Sequence, residues 1–261
     1  MNDFIEYKGS KLYYYKQGTG RKSILVFHGF GQDHSAFASW IEKLKDEYTL
    51  ISFDLFFHGS SVWVAPDAVD KEDWGNIMET LIYKEKLEDI ELAGFSMGGK
   101  FAFATLEMFP EKVRRMILIA PDGIKINFWY RLATYPIAMR ALFESVVASP
   151  KLFFSLARSL EAIGVINKYL LRFVVLQMDT PQKRHQVYCT WIQFRLLRFD
   201  MRFIAELINK EKIDLKVIVG KHDKVIPATD MHRLLKYVPS AHLEVIDGGH
   251  NNLIDKAAEF L

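Results

Sequence analysis

Residues 94–99 read Gly-Phe-Ser-Met-Gly-Gly, which places Ser96 between small residues at the junction of two patterns. The apolar residues 90–93 before it have the length of a buried strand, and the helical pattern after it runs to residue 109. Gly-x-Ser-x-Gly occurs by chance in about one chain in ten of this length, so alone it is a weak signal. A preceding strand and a following helix are the context of a nucleophile elbow, a sharp turn that presents a serine side chain. We expect Gly94 and Gly98 to permit the close backbone approach of such a turn.

Short apolar segments rich in Ile, Val and Leu recur along the whole chain. They are residues 24–27, 50–53, 90–93, 116–119, 215–219 and 243–246. Continuous apolar runs of this length are typical of parallel strands that are buried on both faces. Helical patterns separate most of them, at residues 35–45, 73–87 and 97–109, and residues 7–17 favour an edge hairpin. This alternation predicts an α/β fold with a doubly wound, mostly parallel sheet.

The alternation is interrupted between residues 119 and 215, where the pattern is mostly helical. We therefore predict a core formed by residues 1–121 and 214–261, with a helical cap inserted at residues 122–213. The cap carries twice as many basic as acidic residues. If residues 181–208 are mostly helix, one stripe holds Arg184, Arg195, Arg198 and Arg202. Such a stripe fits an anionic substrate or peripheral contact with anionic lipid, but solvated arginines that cover apolar surface are the preferred interpretation.

Composition limits the classes of function. The chain has 261 residues, of which 50% are hydrophobic, and a net charge of +2, which gives no global field for nucleic acid. No apolar run reaches the roughly 18 residues of a membrane span, and residues 1–6 lack the features of a secretory signal. The single Cys189 fits a reducing compartment, so a cytoplasmic location is expected. No Cys/His cluster has zinc-ligand spacing, and neither a metal nor another cofactor is expected.

Ser96 alone cannot act as a nucleophile, because a serine hydroxyl needs a base and the base needs an orienting group. Asp223 and His250 follow the last two predicted strands, and the carboxyl ends of parallel strands open to one side of a sheet. We therefore predict a catalytic triad of Ser96, Asp223 and His250. Asp122 follows the preceding strand and is an alternative acid, although a turn residue before Gly123 is its preferred interpretation.

Attack on a carbonyl group also needs N–H donors for the developing oxyanion. The Met97 N–H lies at the predicted start of the helix after Ser96. The Phe30 N–H lies between Gly29 and Gly31, in the loop after the strand at residues 24–27. We predict these two amides as the oxyanion hole.

Taken together, these segments resemble the α/β-hydrolase superfamily in its single-chain form with a helical cap. The resemblance covers nearly the whole chain and rests on residues 28–31, 54–61, 94–99, 220–223 and 248–250. It implies a carboxylesterase-like serine hydrolase that forms an acyl-enzyme from a small-molecule ester with an apolar acyl group. A thioesterase or a carbon–carbon bond hydrolase with the same triad is the alternative, and a non-catalytic binding protein of this fold is a weaker one. The expected pocket-lining residues are His28, Gly29, Phe57, Phe95 and Trp129.

One position departs from the family pattern. The family often reads Asp-x-x-Gly-His-Gly-x-Ser after its second parallel strand, and here Phe57 stands where the first of these glycines is usual. We expect Phe57 to add apolar bulk near the pocket. The other histidines of these loops, His34, His58 and His222, are expected to be structural or solvated, and a structural role is also preferred for His28.

Overall fold

The computed structural model describes residues 2–164, 175 and 178–261, and this part of the chain contains one eight-stranded sheet. The strands are β1 Asn2–Tyr7, β2 Ser10–Gln17, β3 Lys22–Phe27, β4 Tyr48–Phe53, β5 Ile90–Phe95, β6 Val113–Ile119, β7 Asp214–Gly220 and β8 His242–Ile246. Their order is β1-β2-β4-β3-β5-β6-β7-β8. Strands β3 to β8 pair in parallel, and the β1–β2 hairpin is antiparallel and joins β4. The predicted doubly wound, mostly parallel α/β fold is confirmed.

The helices of the described residues follow the strands in chain order. They are α1 Ala38–Leu44, α2 Lys71–Glu85, α3 Gly98–Met108, α4 Phe128–Thr134, α5 Ile137–Ala148, α6 Pro150–Ala162, α7 Pro181–Gln193, α8 Met201–Lys210, α9 His232–Leu235 and α10 Leu253–Ala257. None of them is both long and apolar enough to cross a bilayer.

Several element boundaries differ from the predicted ones by a few residues. The hairpin begins at Asn2, because the whole segment Asn2–Tyr7 pairs with β2 although it buries only Ile5. Helix α2 begins at Lys71 because a capping box fixes its start. The Asp73 N–H donates to the Asp70 side chain at 2.8 Å, and the Asp73 side chain accepts the Asp70 N–H in return.

The chain divides into two compact units. The first consists of Met1–Lys125 and Leu196–Leu261, and it contains the whole sheet; the second is Ile126–Arg195. Residues 196–213, predicted as part of the cap, therefore belong to the sheet unit. Helix α8 explains the difference, since it buries Ile204 and Ile208 within that unit, and the Phe199 ring before it lies 5.4 Å from the Phe103 ring of α3. The role of residues 126–195 as a cap stays a prediction.

The predicted arginine stripe assumed that residues 181–208 are mostly helix, and the structure divides this segment into two helices. Helix α7 starts at Pro181, with Thr180 as its N-cap, and it ends at Gln193. Asp200 then caps α8 by accepting the Arg202 N–H at 2.8 Å. Within the second unit, the Arg184 guanidinium donates to the carbonyl groups of Val147 and Met178. These bonds give Arg184 a structural role.

Helices α1 and α10 are fixed to each other beside the sheet. The fully buried Trp40 of α1 donates its indole N–H to the Ile254 carbonyl of α10 at 2.9 Å. Leu253 is also fully buried. A short 3-10 turn, His250–Asn252, directly precedes α10, so this packing holds the loop that follows β8.

Candidate active site

The junction of β5 and α3 is a tight turn that only glycine permits at two positions. Ser96 has a left-handed backbone with φ +50°, which is strained for a residue with a side chain. A Cβ atom on Gly94 would lie 2.7 Å from the Gly98 carbonyl oxygen, and one on Gly98 would lie 2.0 Å from the Phe27 carbonyl oxygen. The Ser96 N–H donates to the Ile119 carbonyl at 3.0 Å, which holds the strained residue in place.

The structure brings Ser96, Asp223 and His250 together at the carboxyl edge of the sheet. Ser96 Oγ lies 2.9 Å from His250 Nε2, and His250 Nδ1 lies 2.6 Å from Asp223 Oδ2. Because a carboxylate only accepts hydrogen bonds, Nδ1 is assigned the proton, and Nε2 is then free to accept the Ser96 hydroxyl. The Asp223 side chain is fully buried, and that of His250 is 10% exposed.

Further contacts fix the two partners of Ser96. Asp223 Oδ1 accepts the N–H groups of Val225 and Ile226 at 2.8 and 2.9 Å, so both oxygens of this buried carboxylate are used. The Phe95 ring, which is almost fully buried, lies 5.0 Å from the His250 ring. Phe95, which was predicted to line the pocket, therefore packs against the imidazole of His250.

The loop after β3 lies close to the same turn. A Cβ on Gly29 would lie 2.7 Å from the Phe95 ring, so only glycine fits there. The Gly29 N–H donates to the Gln32 side chain at 2.9 Å, and the Gln32 N–H donates back to the Gly29 carbonyl at 3.3 Å. Gln32 was not predicted from the sequence, since no local pattern marks a side chain that closes a loop on its own backbone.

The predicted oxyanion donors lie in these two segments. Phe30 is part of the Gly29–Gln32 turn, and Met97 is the N-cap residue of α3. Among the residues that the structure describes, neither the Phe30 N–H nor the Met97 N–H donates to another protein group. Both amides are therefore available to an oxyanion.

The buried ring of His28 is hydrogen-bonded to the backbone of this loop and to that of the loop after β4. Its ring is fully buried, Nδ1 donates to the Gly29 carbonyl at 2.7 Å, and Nε2 accepts the Leu55 N–H at 2.9 Å. Burial, together with the neighbouring His58 ring, lowers the pKa of His28 to about 3, so the ring is neutral at pH 7. These contacts give His28 the structural role that the sequence favours, and its contribution to the pocket lining stays a prediction.

His58 lies next to His28 and is also buried. Its ring centroid is 5.1 Å from that of His28 and 5.4 Å from that of Phe30. Nδ1 donates to the Phe56 carbonyl at 3.0 Å. Burial lowers the pKa of His58 to about 4, so this ring is neutral as well. The loop after β4 is thus packed directly against the predicted oxyanion loop.

Asp122, the alternative acid, is engaged elsewhere. Its Oδ2 lies 3.1 Å from Lys100 Nζ, and its Oδ1 accepts the Gly123 N–H at 2.7 Å. The Asp122 N–H donates to the Ser96 carbonyl at 2.8 Å, so the Asp122 backbone helps to hold the turn in place. Lys100 was not singled out from the sequence, although a lysine in the otherwise apolar start of α3 signals a buried ion pair.

Two further residues, Phe57 and Trp129, were predicted to line the pocket, and His34 and His222 were predicted to be structural or solvated. Phe57 is half-buried with φ +69°, and the side chain of Trp129 lies outside the described residues. His34 Nδ1 lies 2.7 Å from Asp54, and His222 Nε2 lies 3.1 Å from Asp247, so both of these histidines have carboxylate partners.

Asp33, His34 and Asp54 could in principle bind a cation, because their ligand atoms lie within 4.8 Å of one another. Hydrogen bonds within the protein already explain why these three side chains lie close together. Asp54 accepts the His34 and Ser60 N–H groups, and Asp33 caps the turn that contains Ser35.

Comparison with known proteins is consistent with this geometry. A family described as alpha/beta hydrolase fold matches residues 22–257. An uncharacterized protein of Mycobacterium tuberculosis is 25% identical over 254 residues, which cover 92% of this chain and 73% of that relative. Two solved structures share the fold. A thermophilic esterase from Thermogutta terrifontis has a TM-score of 0.72 at 21% identity, covering 100% of this chain and 95% of its own. A meta-cleavage product hydrolase from Pseudomonas fluorescens has a TM-score of 0.66 at 20% identity, covering 99% and 94%.

The family match spans most of the chain, from the third strand to the last helix. It includes the strand–turn–helix that carries Ser96 and the loops that carry Asp223 and His250. The chain therefore belongs to the α/β-hydrolase fold family.

Proposed function

We propose that this protein is a serine hydrolase that cleaves a carboxylic ester through an acyl-enzyme. The observation that carries the proposal is the continuous hydrogen-bonded chain from Ser96 Oγ through His250 to Asp223, with distances of 2.9 and 2.6 Å. A base within hydrogen-bond reach of a nucleophile, itself oriented by a buried carboxylate, is the arrangement that activates a serine hydroxyl.

In the first half of the proposed reaction, Ser96 Oγ attacks the carbonyl carbon of the ester while His250 Nε2 takes the hydroxyl proton. The carbonyl oxygen becomes an oxyanion and accepts the N–H groups of Phe30 and Met97. The buried Asp223 carboxylate stabilises the imidazolium that forms. His250 then gives its proton to the departing alcohol oxygen, and the acyl group stays on Ser96.

In the second half, water attacks the acyl-enzyme while His250 removes a proton from it. The same amides stabilise the second oxyanion. Collapse of this intermediate breaks the bond to Ser96, which regains its proton from His250, and the carboxylic acid leaves. We propose a small or medium ester with an apolar acyl part as the substrate. We propose a cytoplasmic location for the reaction, because a single cysteine, Cys189, fits a reducing compartment.

The test is a panel of aryl esters of increasing acyl length beside acyl-thioesters, assayed with wild type and Ser96→Ala. Ser96→Ala is expected to lower kcat/KM by about 10⁴-fold or more. Ser149→Ala, which changes an exposed serine without a side-chain capping bond, is the matched control and should keep full activity.

Equal rates for wild type and Ser96→Ala would contradict the nucleophile. If no ester or thioester reacts while an organophosphate still labels Ser96, the ester substrate is wrong and the nucleophile stands. Carbon–carbon bond substrates are then the next class to assay, since the same triad supports both reactions in this fold.

A further inference from the structure

The predicted oxyanion loop contains a four-residue turn that begins at Gly29 and ends at Gln32. The Gln32 N–H closes the turn by donating to the Gly29 carbonyl at 3.3 Å. Gly31, the third residue, has φ +75°, and Phe30, the second, does not have a positive φ. This pattern fits a type II turn, whose third position favours glycine. The N–H that we predict as an oxyanion donor therefore belongs to the second residue of a turn with glycine on both sides.

The side chain of Gln32 closes the same turn a second time. Gln32 Oε1 accepts the Gly29 N–H at 2.9 Å, so Gln32 binds both backbone groups of the first residue of the turn. Because a backbone N–H only donates, the carboxamide is assigned with its oxygen toward Gly29. Glycine adopts a wider range of backbone angles than any other residue. The two bonds therefore restrict a position that has no side chain of its own to hold it.

The direction of the Phe30 N–H depends on the backbone angles of Gly29. The Gly29 carbonyl and the Phe30 N–H belong to one planar trans peptide unit, so they point in opposite directions. His28 Nδ1 and the Gln32 N–H hold this carbonyl on one side. Gln32 Oε1 holds the preceding peptide unit through the Gly29 N–H. With the peptide units on both sides of Gly29 held, the Phe30 N–H has a fixed direction, away from these two partners.

The bond from Gly29 to Gln32 lies where the predicted oxyanion loop meets the serine turn. A Cβ on Gly29 would lie 2.7 Å from the Phe95 ring and 3.1 Å from Gln32 Oε1, so the ring and the amide oxygen lie beside the same backbone atom. Phe95 directly precedes Ser96, and its ring lies 5.0 Å from the His250 ring. A change at Gln32 would therefore act on the part of the loop that is next to the triad.

We propose that Gln32 is a positioning residue for the cleavage, which fixes Gly29 so that the Phe30 N–H points at the oxyanion. This inference rests on the proposed function, because the oxyanion forms only if Ser96 attacks a carbonyl group. A donor contributes most when its direction is set before the reaction, since it then needs no reorientation in the transition state. Loss of the Gln32 side-chain bond should therefore slow the chemical step and leave ground-state binding unchanged.

The test measures how fast an alkyl phosphonofluoridate labels Ser96 in wild type and in Gln32→Leu. The phosphoryl oxygen of this probe takes the place of the oxyanion, so labelling needs the same N–H donors whatever the natural substrate is. Varying the probe concentration separates KI, the affinity for the unreacted probe, from kinact, the rate of the covalent step. Gln32→Leu removes the acceptor and should lower kinact by about 10- to 100-fold, with KI within about twofold of wild type.

Thr49→Val is the matched control. The Thr49 hydroxyl also ties down a loop, since it donates to the Gly20 carbonyl at 2.8 Å, and Thr49 is half-buried, as is Gln32. Thr49 lies near the start of β4, at the edge of the sheet opposite to Ser96. Each substitution removes one side-chain bond to the backbone, so both are expected to lower the melting temperature by about 2–4 °C. Thr49→Val should leave kinact and KI unchanged.

The outcomes separate this inference from the proposed function. If Gln32→Leu is labelled at Ser96 with the kinact of wild type, or if only KI rises, the positioning role of Gln32 is wrong and the proposed function stands. An equal loss of kinact in Thr49→Val would assign the effect to lower stability and would also overturn that role. A wild-type Ser96 that the probe does not label would overturn the proposed function, and this inference with it.

Discussion

Asp223 and Asp122 follow neighbouring strands of the same sheet, but their surroundings differ. The Asp223 side chain is fully buried, holds His250 with one oxygen and accepts two backbone N–H groups with the other. The Asp122 side chain is 37% exposed and is paired with Lys100. A buried carboxylate without a lysine partner can stabilise an imidazolium, whereas the charge of Asp122 is already neutralised.

Substitution of the two acids is expected to separate catalysis from stability. Asp223→Asn should lower kcat by about 10⁴-fold, because the amide no longer enforces the imidazole tautomer that accepts the Ser96 proton. Asp122→Asn should keep kcat within about tenfold but lower the melting temperature, because Lys100 loses this carboxylate in a buried position. Ester turnover and thermal melting of both variants provide the measurement. Loss of turnover only in Asp122→Asn would identify Asp122 as the acid.

Single residues also show where prediction from the sequence reaches its limit. The positions of Ser96, Asp223 and His250 could be predicted because strand periodicity places each of them just after a strand. The left-handed backbone of Phe57 could not, because no local propensity favours positive φ for phenylalanine. Gln32 was missed for a similar reason, since its bond to Gly29 depends on the final shape of the loop.

At the scale of elements, the crossing of β5, α3 and β3 sets the geometry of the turn at Ser96. The start of α3 touches the end of β3 so closely that a methyl group on Gly98 would overlap the Phe27 carbonyl oxygen. Such contact between backbones cannot be relieved by a rotamer change. The strand and the helix can therefore approach only through glycine.

Gly98→Ala is accordingly expected to lower the free energy of unfolding by about 3 kcal/mol or more. Gly249→Ala is the matched control, because Gly249 has φ −95° and no atom would lie within 4 Å of its added Cβ. It should leave the free energy of unfolding unchanged or raise it by up to about 1 kcal/mol. Urea unfolding of the two variants tests this contrast, and similar losses in both would contradict it.

Element boundaries were less predictable than the elements themselves. The periodicity of residues 73–87 indicates a helix, but the capping box of Asp70 and Asp73 moves its start to Lys71. Asp200 likewise interrupts an apparently continuous helical pattern by capping α8. In both cases the hydrogen bond of a capping side chain, and not the spacing of the apolar residues, sets where the helix begins.

At the scale of the whole molecule, two buried neutral histidines make the fold sensitive to acid. Burial lowers the pKa of His28 to about 3 and that of His58 to about 4, against about 6.5 in an unfolded chain. Between these values the unfolded state binds protons that the folded state does not. The contribution of these two neutral rings to the free energy of unfolding is therefore fully present above about pH 6.5. It is lost as the pH falls toward the folded pKa values.

Urea unfolding between pH 7 and 5 should show this loss. The expected slope approaches about 1.4 kcal/mol per pH unit for each of the two histidines. His58→Asn, whose amide can still donate to the Phe56 carbonyl, should remove about half of it. His242→Gln, which changes an exposed histidine of β8, should retain the wild-type slope. A slope that His58→Asn leaves intact would show that His58 does not contribute.

The strand order has a consequence for how the molecule is assembled in time. Ser96 belongs to the centre of the sheet, while His250 follows β8 at its edge, and 154 positions separate them along the chain. Closing so long a loop is among the slower events of folding. In any partly folded state without β8, the serine turn can exist but has no imidazole beside it. The contact between Ser96 and His250 therefore forms only once β8 has joined its edge of the sheet, and a refolding experiment can follow the contact to time that step.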